Sequence, residues 1–422
     1  MRLSQLDLDQ QLKLLFNELI EIECDFPGDL RVARGALGEI NVVVIGFDFS
    51  LYGGSIGVRE AGQLRAAIRI AKKSKFPLVM LLNTGGVRVT EGAKSLAAFR
   101  FLYRELLEAK LDGLPVLSLV MRHCYGGGSM LAAISDMVLV NAGSQIAMSG
   151  PKLIKALNKD FDHDSVTLDD IQGVLSGVAR AKTSSRVQLI DDDEKAYQLG
   201  MYRFLSSRQK LTMSNISFLN ELKHRFPDKR LVRSERQHNE KTTHPMINFD
   251  EIGGLTNWSG KSTLLVLNNH IDEGMAVYAL AADYFADAEA ILDLTSAINA
   301  LSNSVLSIKI LIACSSHSPN LSDERLLLSE YLSTLAICLR QKHAKGAHVH
   351  VVVLRPTGGG IFAALSAAAS EVSMLKTGSI QVLPSSALDL MHWKDDELIG
   401  VNQLVTAQVV DNIIDDLSSV MS

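Results

Sequence analysis

The chain predicts an α/β fold made of two copies of one unit, each on a largely parallel sheet, and three observations carry that reading. Glycine-rich turns at Thr84-Gly85-Gly86-Val87-Arg88 and Tyr125-Gly126-Gly127-Gly128-Ser129 each follow an apolar run and precede a helix-like segment. Turns of the same kind recur after apolar runs at Ser315-Ser316-His317-Ser318 and Thr357-Gly358-Gly359-Gly360-Ile361. The spacing recurs too: Gly85 to Gly126 is 41 residues, as is His317 to Gly358, and Gly143-Ser144 before Pro151 matches Gly378-Ser379 before Pro384. Strands that alternate with helices point to βαβ units.

Taken in order, residues 3 to 24 place Leu3, Leu6, Leu12, Leu15, Leu19 and Ile20 at roughly helical spacing, which predicts an amphipathic packing arm. Asn41 to Phe49 reads as a strand, followed by the Tyr52-Gly53-Gly54 turn. A helix from Arg59 to Lys73 stops before Pro77, and the strand Leu78 to Leu82 delivers the chain to the first diglycine. A helix over Glu91 to Lys110, a strand over Pro115 to Met121, the triple glycine with a short Ala-rich helix, and a strand over Met137 to Val140 complete the first pattern.

Ser206 to Asn257 changes character, with Lys223, Arg225, Lys229, Arg230, Arg233 and Arg236 in a polar run. That run divides the chain into domains over 1–205 and 258–422, joined by a basic linker over 206–257. A solvated linker and a docking patch for an acidic partner both account for its composition. Lys261 to Asn268 opens the second unit, which continues with a helix over Asp287 to Leu301 and a strand over Ile308 to Cys314. A helix over Asp323 to Lys342 and a strand over Val349 to Leu354 then lead to the second triple glycine.

At 422 residues, with 47% hydrophobic and 21% charged residues, the chain is long enough for two well-buried cores. A net charge of −5 argues against a nucleic-acid binder. Cys24, Cys124, Cys314 and Cys338 form no C-x-x-C pair, so neither zinc nor a disulfide framework is expected, and a reducing cytosol fits. No apolar run reaches spanning length, which predicts a protein without a membrane segment.

The turns carry the candidate chemistry. Glycine permits a positive φ and close packing, and it also lets paired backbone N–H groups at a strand-to-helix junction hold an oxyanion. Recurrence in both copies favours the second role for Gly85, Gly86, Gly126, Gly127 and Gly128, and for Gly358, Gly359 and Gly360. His317 stands where the first copy has Gly85, and reads either as a turn-capping histidine or as a proton carrier. Arg88 and Glu91, three apart, suit an ion pair. Gly254 to Ser262 has five residues between its glycines where a phosphate loop needs four, so a turn between strands is expected there. His343, His348 and His350 show no ligand pattern, and no metal site is expected.

Leu82 to Glu91, Tyr125 to Gly128 and Ala147-Met148-Ser149-Gly150-Pro151 resemble the β subunit of biotin-independent malonate decarboxylase and, more broadly, acyl-CoA carboxylase carboxyltransferases. Asp323 to Leu328, Gly358 to Phe362 and Ile380 to Pro384 are similar to the γ subunit of that decarboxylase, so the chain resembles a β–γ fusion. The second copy departs from that subunit in having three glycines where a Ser-Gly-Ala type turn is usual.

The resemblance implies two crotonase-like domains in tandem, each a spiral of ββα units, with a cleft between them. It implies loss of CO₂ from a malonyl thioester, with Arg88, Ser149 and Gly150 in contact with substrate. The implied substrate carrier is an acyl carrier protein with a CoA-derived prosthetic group, and this chain itself binds no cofactor. Further subunits, such as an acyl-carrier transferase, and a homo-oligomer are the implied partners. Carboxyl transfer from biotin, and a non-catalytic assembly role, are the other functions the fold allows. No Met-Lys-Met biotin-attachment sequence occurs in the chain.

Overall fold

A computed structural model describes residues 2–25, 27–157, 167–207, 216–225, 258–261, 264–267, 274–281, 285–383 and 401–421. The first sheet contains β1 (Asn17–Glu21), β2 (Leu30–Leu37), β3 (Ile40–Phe47), β4 (Leu78–Leu81) and β5 (Val116–Val120). Beyond β6 (His123–Tyr125) lie its last members, β7 (Met137–Val140) and, after β8 (Gln145–Ala147), β9 (Val187–Leu189). Its order is β1-β2-β3-β4-β5-β7-β9, antiparallel from β1 to β3 and parallel from β3 onward, while β6 and β8 pair separately.

The second sheet repeats this plan. It opens with β10 (Trp258–Lys261), β11 (Leu264–Leu267) and β12 (Met275–Leu280), and β13 (Phe285–Ala286) precedes β14 (Ser307–Ile312) and β15 (Ser316–His317). Then come β16 (His348–Val353), β17 (Thr357–Gly358), β18 (Glu371–Leu375), β19 (Ile380–Gln381) and β20 (Asn412–Ile414). The order β10-β11-β12-β14-β16-β18-β20 has the same antiparallel start and parallel continuation, with β13·β15 and β17·β19 as short pairs. The α/β fold of two tandem copies of one unit, each on a largely parallel sheet, is therefore realised.

Most elements fall where periodicity puts them, and the differences have local causes. The N-terminal arm is α-helical only over Leu8–Leu15, after a short 3-10 turn at Leu3–Gln5; the Asp7 side chain accepts from the Gln10 N–H and the Gln10 side chain accepts from the Asp7 N–H. Leu8, Leu12 and Leu15 are buried at helical spacing, but residues 17–21 form β1 because the edge of β2 offers backbone partners that outweigh helix continuation. Ile20 is consequently 66% exposed. The helix expected over 323–342 is broken into Leu321–Arg325 and Leu328–Ala344 at Leu327, whose φ is +63°. In the first half the residue before the helix Ala93–Leu111 is Gly92, with φ +55° and ψ −131°, a conformation open to glycine because it has no side chain.

The two halves press helix against helix, and one hydrophobic core runs through both. Alanines of the helices Gly127–Ile134 and Gly359–Ala368 are buried in this contact, so these Ala-rich helices are covered within one chain and need no second copy for it. Hydroxyl pairs cross the seam, Ser129 to Ser329 at 2.6 Å and Tyr103 to Ser333 at 2.8 Å. Arg100, 1% exposed, reaches from the first half to Asp411 at 2.6 Å and to the carbonyls of Gln408 and Val409. Within the segment read as a linker, the helix Ile216–Arg225 packs on the second half, where the Leu219 carbonyl accepts from the Tyr331 hydroxyl. The rest of that basic run, and most of Gly254 to Ser262, lie outside the described residues. No helix among the described residues is long and apolar enough to cross a membrane.

Candidate active site

A cleft of about 210 Å³ lies at the seam, bordered by both glycine turns of the first half and by the histidine and glycine turns of the second. Val87, Leu96, Phe99, Met130, Met148 and Leu153 make much of its wall, and none of its described lining residues is charged at neutral pH. Of the residues singled out in the sequence, Gly85, Gly126, Gly127, Ser149, Gly150, His317, Gly359 and Gly360 border it. Gly86, Gly128, Gly358 and Arg88 do not line it.

The hydrogen-bond ladder shows which N–H groups can act. Gly85 donates to the Gly53 carbonyl at 2.9 Å, Gly86 to the Thr84 hydroxyl at 3.0 Å and Gly126 to the Ala147 carbonyl at 3.1 Å. These glycines therefore use their own donors to build the turns. The cleft-lining residues whose N–H finds no acceptor among the described residues include Val87 and Gly127. Ile56 bonds to the Gly86 carbonyl and the Arg88 N–H, so the alternation of an extended strand turns the Val87 N–H the other way. The Gly127 N–H opens the helix Gly127–Ile134, where a first-turn donor has no intrahelical partner and the dipole favours negative charge.

Glycine is required where these backbones meet. Gly86 has φ +104°, and a Cβ on it would stand 3.1 Å from the Tyr125 carbonyl oxygen and 3.4 Å from the Gly127 nitrogen. A Cβ on Gly127 would strike the Phe99 ring at 2.7 Å, and one on Gly128 would strike the Thr84 methyl at 2.2 Å. Gly358 serves packing in the same way, with a Cβ falling 2.1 Å from the Gln381 carbonyl oxygen.

The second half has the same scaffold with a different filling. Ala286 pairs with His317 as Ile56 pairs with Val87, and Ser318 bonds back to Ala286 as Arg88 does to Ile56. His317 therefore matches Val87, not Gly85 as the even spacing suggests. Gly359, with φ +60°, matches Gly126, with φ +54°, and so Gly360 matches Gly127. The Gly360 N–H donates to His317 Nδ1 at 2.8 Å. A backbone N–H can only donate, so Nδ1 is unprotonated and the neutral ring carries its hydrogen on Nε2. Nε2 faces the Ser149 hydroxyl at 3.5 Å, and burial pushes the His317 pKa down to about 4.

Ser149 is presented from across the seam. Its N–H donates to Glu324 at 2.7 Å, and Glu324 pairs with Arg180 at 3.2 Å, both side chains almost fully buried. Burial pushes the Glu324 carboxyl above its usual range against the opposing pull of Arg180. The neighbouring Asp323 accepts from the Ser318 hydroxyl at 2.6 Å and from the Ala288 N–H at 3.0 Å, which ties down the turn that carries His317. Arg88 is engaged elsewhere: it pairs with Glu60 and Glu91 at 3.0 Å each, donates to the Ser55 carbonyl at 3.0 Å and lies 4.7 Å from the Tyr52 ring centroid. It clamps the loop that holds Gly53, outside the cleft.

Val87 and the Arg180–Glu324 pair had no signal in the sequence that marked them as site residues. A backbone donor leaves no side-chain signature, and the buried pair joins residues from different halves. Among the described residues no group of His, Cys, Asp and Glu has the arrangement of a metal centre.

Residues 16–197 match the model of the carboxyl transferase domain. The chain is 30% identical over 177 residues to a propionyl-CoA carboxylase carboxyltransferase subunit of Haloferax mediterranei, across 40% of this chain and 33% of that protein. It is 28% identical over 183 residues to the methylmalonyl-CoA decarboxylase subunit alpha of Veillonella parvula, across 42% of this chain and 35% of that protein. These matches span about a third of the length of the curated relatives. Among solved structures, a Pseudomonas malonate decarboxylase MdcD-MdcE hetero-dimer superposes with a TM-score of 0.44 at 19% identity, over 57% of this chain and 97% of the other. The half with the open N–H pair is thus the half that matches a carboxyl transferase domain.

Proposed function

We propose that this chain decarboxylates a malonyl-type thioester, and the observation that carries the reading is the pair of unengaged N–H groups on Val87 and Gly127 at an uncharged cleft. The bond from C2 to the carboxyl carbon breaks and CO₂ leaves. Its electron pair forms the C1–C2 double bond, which places negative charge on the thioester oxygen. Two N–H donors aimed at that oxygen stabilise it more than they stabilise the neutral carbonyl that precedes it, which is the condition for faster reaction. Protonation at C2 by solvent gives the acetyl thioester. The apolar wall adds to this, since a carboxylate is poorly solvated there and CO₂ is not.

Within this reading the thioester is carried by an acyl carrier protein with a CoA-derived arm, further decarboxylase subunits including a carrier transferase are partners, and the reaction is cytoplasmic. Carboxyl transfer with biotin is the second reading, supported by the likeness of residues 16–197 to carboxylase subunits. An assay of CO₂ release from malonyl-carrier protein and malonyl-CoA, with and without biotin, separates them. Biotin-independent release supports decarboxylation, and turnover that demands biotin replaces it with transfer.

A further inference from the structure

We propose that His317, through Nε2–H and together with the Ser149 hydroxyl, is the binding site for the substrate's carboxylate, a second anion site built from side chains where the first half uses backbone. The inference rests on the decarboxylation reading, since it assigns the other end of the same substrate. The 2.8 Å bond from the Gly360 N–H occupies Nδ1, so the one hydrogen of the neutral ring sits on Nε2, the nitrogen that faces Ser149, and both residues border the cleft.

The Nε2 to Ser149 Oγ distance of 3.5 Å is too long for a firm hydrogen bond, so both groups keep donor capacity for a third partner. His317 is 6% exposed and Ser149 1% exposed, and both are held from behind, His317 by the Gly360 N–H and Ser149 by its N–H bond to Glu324. Two fixed donors side by side at an uncharged cleft match the two oxygens of a carboxylate. The neutrality of the ring has a chemical consequence. A lysine or arginine here would stabilise the bound carboxylate and deepen the ground state, whereas a neutral donor orients the carboxylate and still lets it depart as CO₂.

Two substitutions separate this role from simple support of the Gly360 turn. His317→Asn keeps an acceptor near Nδ1 for the Gly360 N–H and loses the far donor. His317→Gln keeps a donor near Nε2 and loses the near acceptor. Titration of the unreactive dianion malonate by calorimetry, with acetyl-CoA as the ligand lacking a carboxylate, reads the carboxylate site without turnover. The expected result is malonate affinity lowered tenfold or more in His317→Asn, within about threefold of the parent in His317→Gln, and acetyl-CoA binding unchanged in both. The reverse ranking, or malonate binding that ignores both changes, overturns the proposal. Since binding is measured apart from CO₂ release, a protein that binds malonate as expected yet releases no CO₂ defeats the decarboxylation reading and leaves the carboxylate site standing.

Discussion

The two halves of this protein build the same turn twice and leave it in opposite states. In the first, Val87 and Gly127 bring unengaged N–H groups to the cleft; in the second, the residue matching Val87 is His317, and its ring takes the N–H of Gly360, the residue matching Gly127. The same backbone geometry therefore does not by itself leave an N–H open. One side chain at one register position takes up the donor that the first half leaves unengaged.

The largest effect is expected from the contact that holds the two turns in register. Glu324→Ala leaves Arg180, 2% exposed, without its carboxylate and releases the Ser149 N–H, and loss of one partner of a buried pair costs about 3–5 kcal/mol. Denaturant unfolding should show a drop on that scale. A loss below about 1 kcal/mol would mean that the pair does not join the halves.

Next in size is Gly86→Val, which forces a branched side chain onto a φ of +104° and against the Tyr125 carbonyl. The Val87 N–H would be re-aimed, and kcat should fall by roughly 10²–10³, the scale of losing one oxyanion donor. Circular dichroism must show an intact fold for the comparison to count, and unimpaired turnover by a folded variant would move the hole elsewhere.

A smaller effect concerns acid stability. The His317 pKa is held near 4 by burial, while the unfolded chain has an ordinary imidazole. Between about pH 6.5 and 4 the unfolded state binds a proton that the native state refuses, so stability contributed by the neutral ring is full above the upper limit and declines as pH falls through this window. The decline is on the order of 3 kcal/mol at most, from the pKa difference converted to free energy. His317→Asn should remove that part of the slope, seen as melting temperatures of variant and parent that converge as pH falls from 7 to 4. Parallel curves would mean that His317 titrates normally.

The smallest effect is the sharpest contrast with the first half. A Cβ at Gly360 meets only the flexible ends of Leu332 and Met148, both at 2.8 Å, whereas one at the matching Gly127 meets the rigid Phe99 ring. Because the Gly360 N–H already serves His317, Gly360→Ala should change kcat by less than about threefold while Gly127→Ala lowers it by about tenfold or more. Equal losses at the two positions would erase the asymmetry between the halves.

Residue types and their order were enough to determine the α/β class, the duplication and the location of most strands and helices, because the 3.6-residue and two-residue periods and the glycine turns are local properties of a chain. The same reading placed Gly127, Ser149 and His317 among the candidates, and all three border the cleft. What it could not determine is which N–H of each turn remains open. Gly85, Gly86 and Gly126 look like donors in sequence, but their acceptors, the Gly53 carbonyl, the Thr84 hydroxyl and the Ala147 carbonyl, are found only once the turns are folded. Equal spacing aligns His317 with Gly85; the hydrogen-bond register aligns it with Val87, because the stretch between matched positions is longer in the second half, 42 residues from His317 to Gly359 against 39 from Val87 to Gly126. The Arg88–Glu91 ion pair that their spacing suggests forms at 3.0 Å, and only the placement of Glu60, Ser55 and Tyr52 around Arg88 shows that it holds the loop instead of facing the cleft. Tertiary structure decided these points because a hydrogen bond depends on distance and direction between groups that can lie far apart along the chain, as Gly360 and His317 do.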